Sequence, residues 1–143
     1  MMTPDMLIKL RRSLIKHEGE RNFPYVDSMG KITIGIGYNL TDLGLDDDWI
    51  DHQYNKDVSY FYNQLIETFP WYVNLNPDRQ IILIDMAFMG WKRFIEFAVM
   101  IDALSRADYK GASQAMLNSE WAHQVGYRAI DLANAMEKGV YNV

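Results

Sequence analysis

Residues 31–38 break the pattern of the rest of the chain: their apolar residues alternate, whereas elsewhere they recur mostly at helical spacing. In Lys31-Ile32-Thr33-Ile34-Gly35-Ile36-Gly37-Tyr38, Ile32, Ile34 and Ile36 fall on one face and Thr33, Gly35 and Gly37 on the other. That is the period-two signature of a half-buried strand. Phe23-Pro24-Tyr25-Val26-Asp27 supplies a partner strand, and Ser28-Met29-Gly30 reads as the turn of a hairpin. Glycines in place of side chains weaken a strand but let another backbone or a ligand come close, which makes that face a candidate cleft wall. One small hairpin among helices confines the chain to the α+β class.

The helices have their own signals. Pro4 suits a first helical turn, and Leu7, Leu10 and Leu14, flanked by Ile8 and Ile15, recur at helical spacing, predicting a helix over 4–17. Beyond Leu45 almost everything reads as helix, near 46–55, 57–69, 78–89, 92–106, 108–118, 120–125 and 128–138. The acidic run Asp46-Asp47-Asp48 complements a helix N-terminus. Segment 78–89 is apolar nearly all round and belongs at the centre of a helical lobe. The aromatic stretch Trp49, Tyr54, Tyr60, Phe61, Tyr62, Phe69, Trp71 and Tyr72 reads mostly as packing. With 143 residues the chain is expected to form a single domain, with a hairpin lobe at about 19–44 and a helical lobe from about 1–18 and 45–143.

Composition narrows the function classes. At 49% hydrophobic and 23% charged, the chain is too apolar to be disordered and too charged for a membrane protein. Nineteen acidic against fourteen basic side chains give a net charge of -5, which repels polyanions; with no basic stripe, nucleic acid is not an expected partner. The absence of cysteine excludes disulfides, thiolate nucleophiles and thiolate metal sites. His17, His52 and His123 lack ligand spacing, so no metal is expected. Charges interrupt the N-terminal apolar residues and every longer apolar run, so the expectation is no signal peptide and no membrane insertion.

Glu18 closes the first helix, Asp27 sits at the hairpin turn and Thr33 lies on the glycine-bearing face. Two carboxylates at one cleft are what glycoside hydrolysis requires, one as the acid on the leaving oxygen and one as the base or nucleophile opposite. On these residues alone, solvated charge and turn capping are the favoured explanation of the pair, since nineteen acidic side chains make such positions ordinary.

The stretch His17-Glu18-Gly19-Glu20-Arg21-Asn22-Phe23-Pro24-Tyr25-Val26-Asp27-Ser28-Met29-Gly30-Lys31-Ile32-Thr33-Ile34-Gly35-Ile36-Gly37-Tyr38-Asn39-Leu40 closely resembles the signature of the bacteriophage-type lysozymes, glycoside hydrolase family 24. The separations match as well, with nine positions from Glu18 to Asp27 and six from Asp27 to Thr33. Asn55-Lys56-Asp57-Val58, Asp85-Met86-Ala87-Phe88 and the run from Asn118 to Ala129 resemble later family blocks in the right order. The resemblance implies a lysozyme-like fold with a cleft between its lobes. It also implies hydrolysis of the β-1,4 bond between N-acetylmuramic acid and N-acetylglucosamine in peptidoglycan, with no cofactor.

Carried over residue by residue, the resemblance makes Glu18 the proton donor, Asp27 the carboxylate that positions water or steadies the developing sugar cation, and Thr33 the hydroxyl at that water. Such enzymes usually invert, which implies a Glu18–Asp27 separation of roughly 6.5–9.5 Å. Asn39 and Phe88 match sugar-lining positions, Arg128 matches an arginine that holds Glu18, and Trp121, Gln124 and Val125 would pack beneath the site. Three features depart from the family pattern. Tyr38 stands where many members have histidine, Phe88-Met89-Gly90 is shorter than the usual Phe-Asn-x-Gly block, and the chain is acidic. The implied setting is a monomeric endolysin made in the bacterial cytoplasm and released to the cell wall by a holin. A lytic transglycosylase and a catalytically silent glycan-binding or virion module remain as alternatives.

Overall fold

The computed structural model describes residues 1–143, which divide into two compact units, Met1–His52 and Gln53–Val143. In the first, helix α1 spans Pro4–Glu18. Its entry is set by Thr3, whose Oγ1 accepts from the Met6 N–H at 3.3 Å, and by Pro4 in the first turn, where a missing N–H costs nothing. Gly19, at φ 79°, closes it by donating to Ile15 O at 2.8 Å.

A three-stranded antiparallel sheet follows, ordered β1 (Arg21–Val26), β2 (Ile32–Gly35) and β3 (Tyr38–Asn39). The Ser28-Met29-Gly30 turn lies where expected. The single strand expected over 31–38 is instead two strands joined at Ile36-Gly37, with Thr33 opposite Asn39 and Ile34 opposite Tyr38. The reason is backbone geometry: Gly35, which ends β2, and Gly37, in the turn, take φ of 64° and 67°, a region glycine enters without penalty and the interior of a strand does not use. The faces also differ from expectation. Thr33 is only 4% exposed whereas Ile32 is 48% exposed, so the hydroxyl and not the isoleucine points into protein. Asn39 then caps helix α2 (Leu40–Leu43), its Oδ1 accepting from the Asp42 N–H at 3.1 Å.

Helix α3 (Asp47–Thr68) begins in the first unit and continues into the second as one helix where two were expected. After a 3-10 turn at Tyr72–Asn74 come α4 (Pro77–Ala87), α5 (Trp91–Phe94), α6 (Ala98–Ser105), α7 (Tyr109–Leu117), α8 (Glu120–Val125) and α9 (Tyr127–Lys138). The helix expected over 92–106 is interrupted at Ile95–Phe97 although it contains no glycine or proline. Phe94 turns inward against Trp91, and Phe97 turns against Trp121, and the chain bends between the two anchors. The core gathers Ile82, Leu83 and Met86 of α4, Met100 and Leu104 of α6, Met116 of α7 and Leu132 and Met136 of α9. Segment 78–89 is thus central along one stripe, while Ile81 and Phe88 face outward.

The aromatic stretch is divided rather than mostly packed. Tyr72 is buried, with burial and the neighbouring Tyr62 pushing its phenol well above the usual range, and it donates to Gln80 O at 3.0 Å. Phe61, Phe69 and Trp71 flank the core, while Trp49, Tyr54, Tyr60 and Tyr62 are exposed. No helix is long and apolar enough to cross a membrane.

One cation ties the end of α9 to the start of α4. The Arg79 guanidinium lies 3.5 Å from the Tyr109 ring centroid, and its Nε and Nη2 donate to Met136 O (2.7 Å) and Glu137 O (2.9 Å). These are carbonyls that a helix end leaves unpaired. Asn76 Nδ2 reaches Gly139 O at 2.8 Å beside them. Arg79→Ala is expected to cost about 2 kcal/mol in urea denaturation, from the charged hydrogen bonds and the ring contact together. Arg79→Lys should recover less than half, because an ammonium cannot fork across two carbonyls; full recovery would mean that charge alone matters.

Candidate active site

The expected catalytic residues Glu18, Asp27 and Thr33 all lie in the first unit. Asp27 is locked by its own turn. Its Oδ1 accepts from the N–H groups of Met29 (2.9 Å) and Lys31 (2.8 Å), and its backbone exchanges bonds with Lys31 O and the Gly30 N–H. An aspartate turn of this kind fixes the carboxylate and leaves one oxygen, Oδ2, free of backbone donors. That oxygen faces Thr33 Oγ1 at 3.4 Å. The same hydroxyl reaches Lys31 O at 3.2 Å, and its single proton can serve only one of the two acceptors at a time. Pairing of Tyr25 with Thr33 across β1 and β2 sets this geometry.

Glu18 is the last residue of α1 and is exposed. A carboxylate at the negative end of a helix gains nothing from the helix dipole, so helix stability does not explain its place; Lys16 in the same turn offsets part of its charge. Its side chain lies against Gly37, where a Cβ built on the glycine would be 2.9 Å from Glu18 Cγ. The glycine face expected to admit a ligand or another backbone therefore admits a side chain at this position.

Tyr38 and Asn39 brace this region. The Tyr38 hydroxyl donates to Gly44 O at 2.6 Å, and Asn39 Nδ2 donates to Asp42 Oδ2 at 2.9 Å. Asp42 also pairs with Lys31 Nζ at 3.0 Å, and the Ile32 N–H donates to Thr41 Oγ1 at 2.7 Å. Thr41 and Asp42 were not singled out from the sequence. An ordinary Thr-Asp pair carries no mark until the sheet brings it beside Lys31 and Ile32.

The second unit holds the remaining expected residues. Arg128 directs Nε (3.1 Å) and Nη2 (2.6 Å) to Asp85 Oδ1, and Nη2 also to Asp85 O at 2.9 Å. Nothing in the spacing pointed to this partner, 43 positions away. Phe88, 43% exposed, packs on Phe61 with ring centroids 5.2 Å apart. Phe88, Asp85 and Arg128 line a cavity of about 520 Å³ together with Tyr54, Ile81 and Ile84. Gln124 is exposed, and its Oε1 accepts from Arg93 at 2.8 Å. Trp121 is core, and Val125 is half-buried against it. Met89 lines a second cavity, of about 490 Å³, with Phe97, Met100 and Trp121. No three His, Asp or Glu side chains converge as metal ligands.

The small antiparallel sheet of the first unit and the helices of the second make up an α+β, lysozyme-like fold. Comparison with known proteins agrees at the coarse level of a lysozyme. The chain is similar to "Probable T4-type lysozyme 1" of Dictyostelium discoideum, with 27% identity over 169 aligned positions that cover 96% of this chain and 98% of that one. No family model matches the chain.

Proposed function

We propose that this protein is a peptidoglycan hydrolase of phage-lysozyme type that cleaves the β-1,4 bond between N-acetylmuramic acid and N-acetylglucosamine with inversion. The observation that carries the reading is Asp27: two backbone N–H groups hold one oxygen while the other faces a buried hydroxyl. Turn capping needs only Oδ1, so it leaves the Oδ2–Thr33 pairing unexplained. The name of the Dictyostelium relative points the same way.

In this reading Glu18 gives its proton to the glycosidic oxygen as the C–O bond breaks. Asp27 Oδ2 and Thr33 Oγ1 hold a water on the opposite face of the sugar. The water oxygen bonds to the anomeric carbon, its proton passes to Asp27, and solvent exchange returns both carboxyls to their starting states. Negative charge on Asp27 also steadies the oxocarbenium-like transition state.

Product analysis tests the reading. Digestion of purified peptidoglycan should leave reducing muramic acid ends, with the inverted anomer appearing first in NMR time courses. Anhydro ends would establish a transglycosylase instead. Asp27→Asn separates turn from catalysis, because the amide oxygen still accepts both backbone N–H bonds while its NH₂ cannot accept from Thr33. Expected is an unchanged melting transition with turnover reduced about 10²–10⁴-fold; turnover near wild type would remove Asp27 from the chemistry.

A further inference from the structure

We infer that Gly37 is a positioning residue: its bare backbone is the rest against which the Glu18 side chain is aimed. The inference rests on the proposed hydrolase reading for its catalytic meaning and on geometry for the contact itself.

Glu18 is attached at the very end of α1, and the next residue, Gly19, has already left the helix. Side-chain torsions beyond Cβ choose among staggered wells unless a neighbour excludes some of them. A methyl carbon added to Gly37 would lie 2.9 Å from Glu18 Cγ and 3.1 Å from both Cβ and Cδ. The whole stem of the glutamate therefore lies on the glycine, not merely its tip. Rotation about the Glu18 torsions could move Cγ and Cδ away, but only by carrying the carboxylate elsewhere. Glu18 Cβ is fixed to the helix, so the rest of the clash would have to be relieved by moving the helix end.

The rest is stiff. Gly37 lies in the turn between β2 and β3, with Ile34 paired to Tyr38 and Thr33 to Asn39 beside it. The Tyr38–Gly44 and Ile32–Thr41 hydrogen bonds anchor both strands to α2. Asp27, in the turn that follows β1, and Thr33, in β2, belong to the same hairpin. One small piece of backbone thus registers the proton donor against the carboxylate and hydroxyl proposed to hold water.

Gly35 supplies an internal control. It also has positive φ, 64° against 67° for Gly37, so alanine strains both backbones alike, yet a Cβ at Gly35 would meet nothing within 4 Å. Only Gly37→Ala displaces Glu18.

The test compares wild type, Gly35→Ala, Gly37→Ala and Glu18→Gln. In wild type and Gly35→Ala, nuclear Overhauser effects should connect the Gly37 α-protons with the Glu18 γ-protons. In Gly37→Ala the corresponding α-proton contact should weaken or vanish. On soluble glycan fragments, Gly37→Ala should lose about 10- to 100-fold in kcat with KM nearly unchanged, the signature of a misplaced group rather than lost binding. Gly35→Ala should stay within about threefold of wild type. Equal kcat losses in the two glycine variants, or no wild-type contact in the NMR data, would overturn the inference. If Gly37→Ala fails to fold, the wild-type contact alone decides. Full turnover by Glu18→Gln would instead sink the hydrolase reading, and the NMR contact would still decide the geometry.

Discussion

Glu18→Gln should abolish lysis of permeabilised Gram-negative cells while leaving the protein folded. The substitution keeps the shape of the side chain and removes the proton that a carboxylic acid can deliver, and general acid catalysis of this kind contributes about 10²–10⁴-fold. Its effect on stability should be near zero or slightly favourable. Glu18 is exposed at the C-terminal end of α1, where the negative end of the helix dipole disfavours its charge and Lys16 in the same turn favours it, so neutralising it changes stability by no more than about 0.5 kcal/mol at low salt. The combination is diagnostic. A residue kept for folding loses stability when replaced, whereas one held in place against local electrostatics for its chemistry loses activity alone. Turbidity decay and a thermal melt on the same preparation read both, and undiminished lysis would remove Glu18 from the mechanism.

The largest effect on stability should come from Phe94→Ala, at about 3–5 kcal/mol. Phe94 is fully buried, with its ring 5.4 Å from that of Trp91 in a stacked arrangement and 6.4 Å from Phe69 edge-on. Truncation removes the transfer free energy of a whole ring and leaves a hole that Trp91 and Phe69, themselves anchored, cannot close. Val99, 73% exposed and only five positions away, is the matched control: Val99→Ala should change stability by no more than about 0.5 kcal/mol. Urea denaturation of the two variants checks the contrast. A small Phe94 effect would mean that the aromatic cluster repacks and does not fix the bend between α5 and α6.

What could be read from the sequence follows the range of the forces involved. Helix α1 was legible because Pro4, the leucine spacing and Gly19 are local signals that act within one or two turns. So was the Ser28-Met29-Gly30 turn, which Asp27 closes by accepting from N–H groups only two and four residues on. The 31–38 run reads as one strand because three isoleucines at alternate positions look the same in one strand as across two strands joined by a tight turn. The decisive sign was a pair of glycines two apart, which can mean either a thin strand face or a reversal. The break at Ile95–Phe97 has no local sign, because it depends on where Phe94 and Phe97 find their partners. Arg128 illustrates the limit most clearly: its partner Asp85 lies on another helix, and only the fold brings the two charges together.

The division into two compact units also decides what an optical measurement of this protein observes. Trp49 is the single tryptophan of residues 1–52 and is exposed, whereas Trp71, Trp91 and Trp121 all lie in residues 53–143 and pack on or within the core. A red shift on unfolding requires an indole that starts out shielded from water, and Trp49 starts out wet. Intrinsic fluorescence is therefore a record of the second unit and nearly blind to the sheet that carries Asp27 and Thr33. A melting temperature taken from emission alone describes the helical unit, and the fate of the proposed catalytic sheet has to be followed by a probe placed within it.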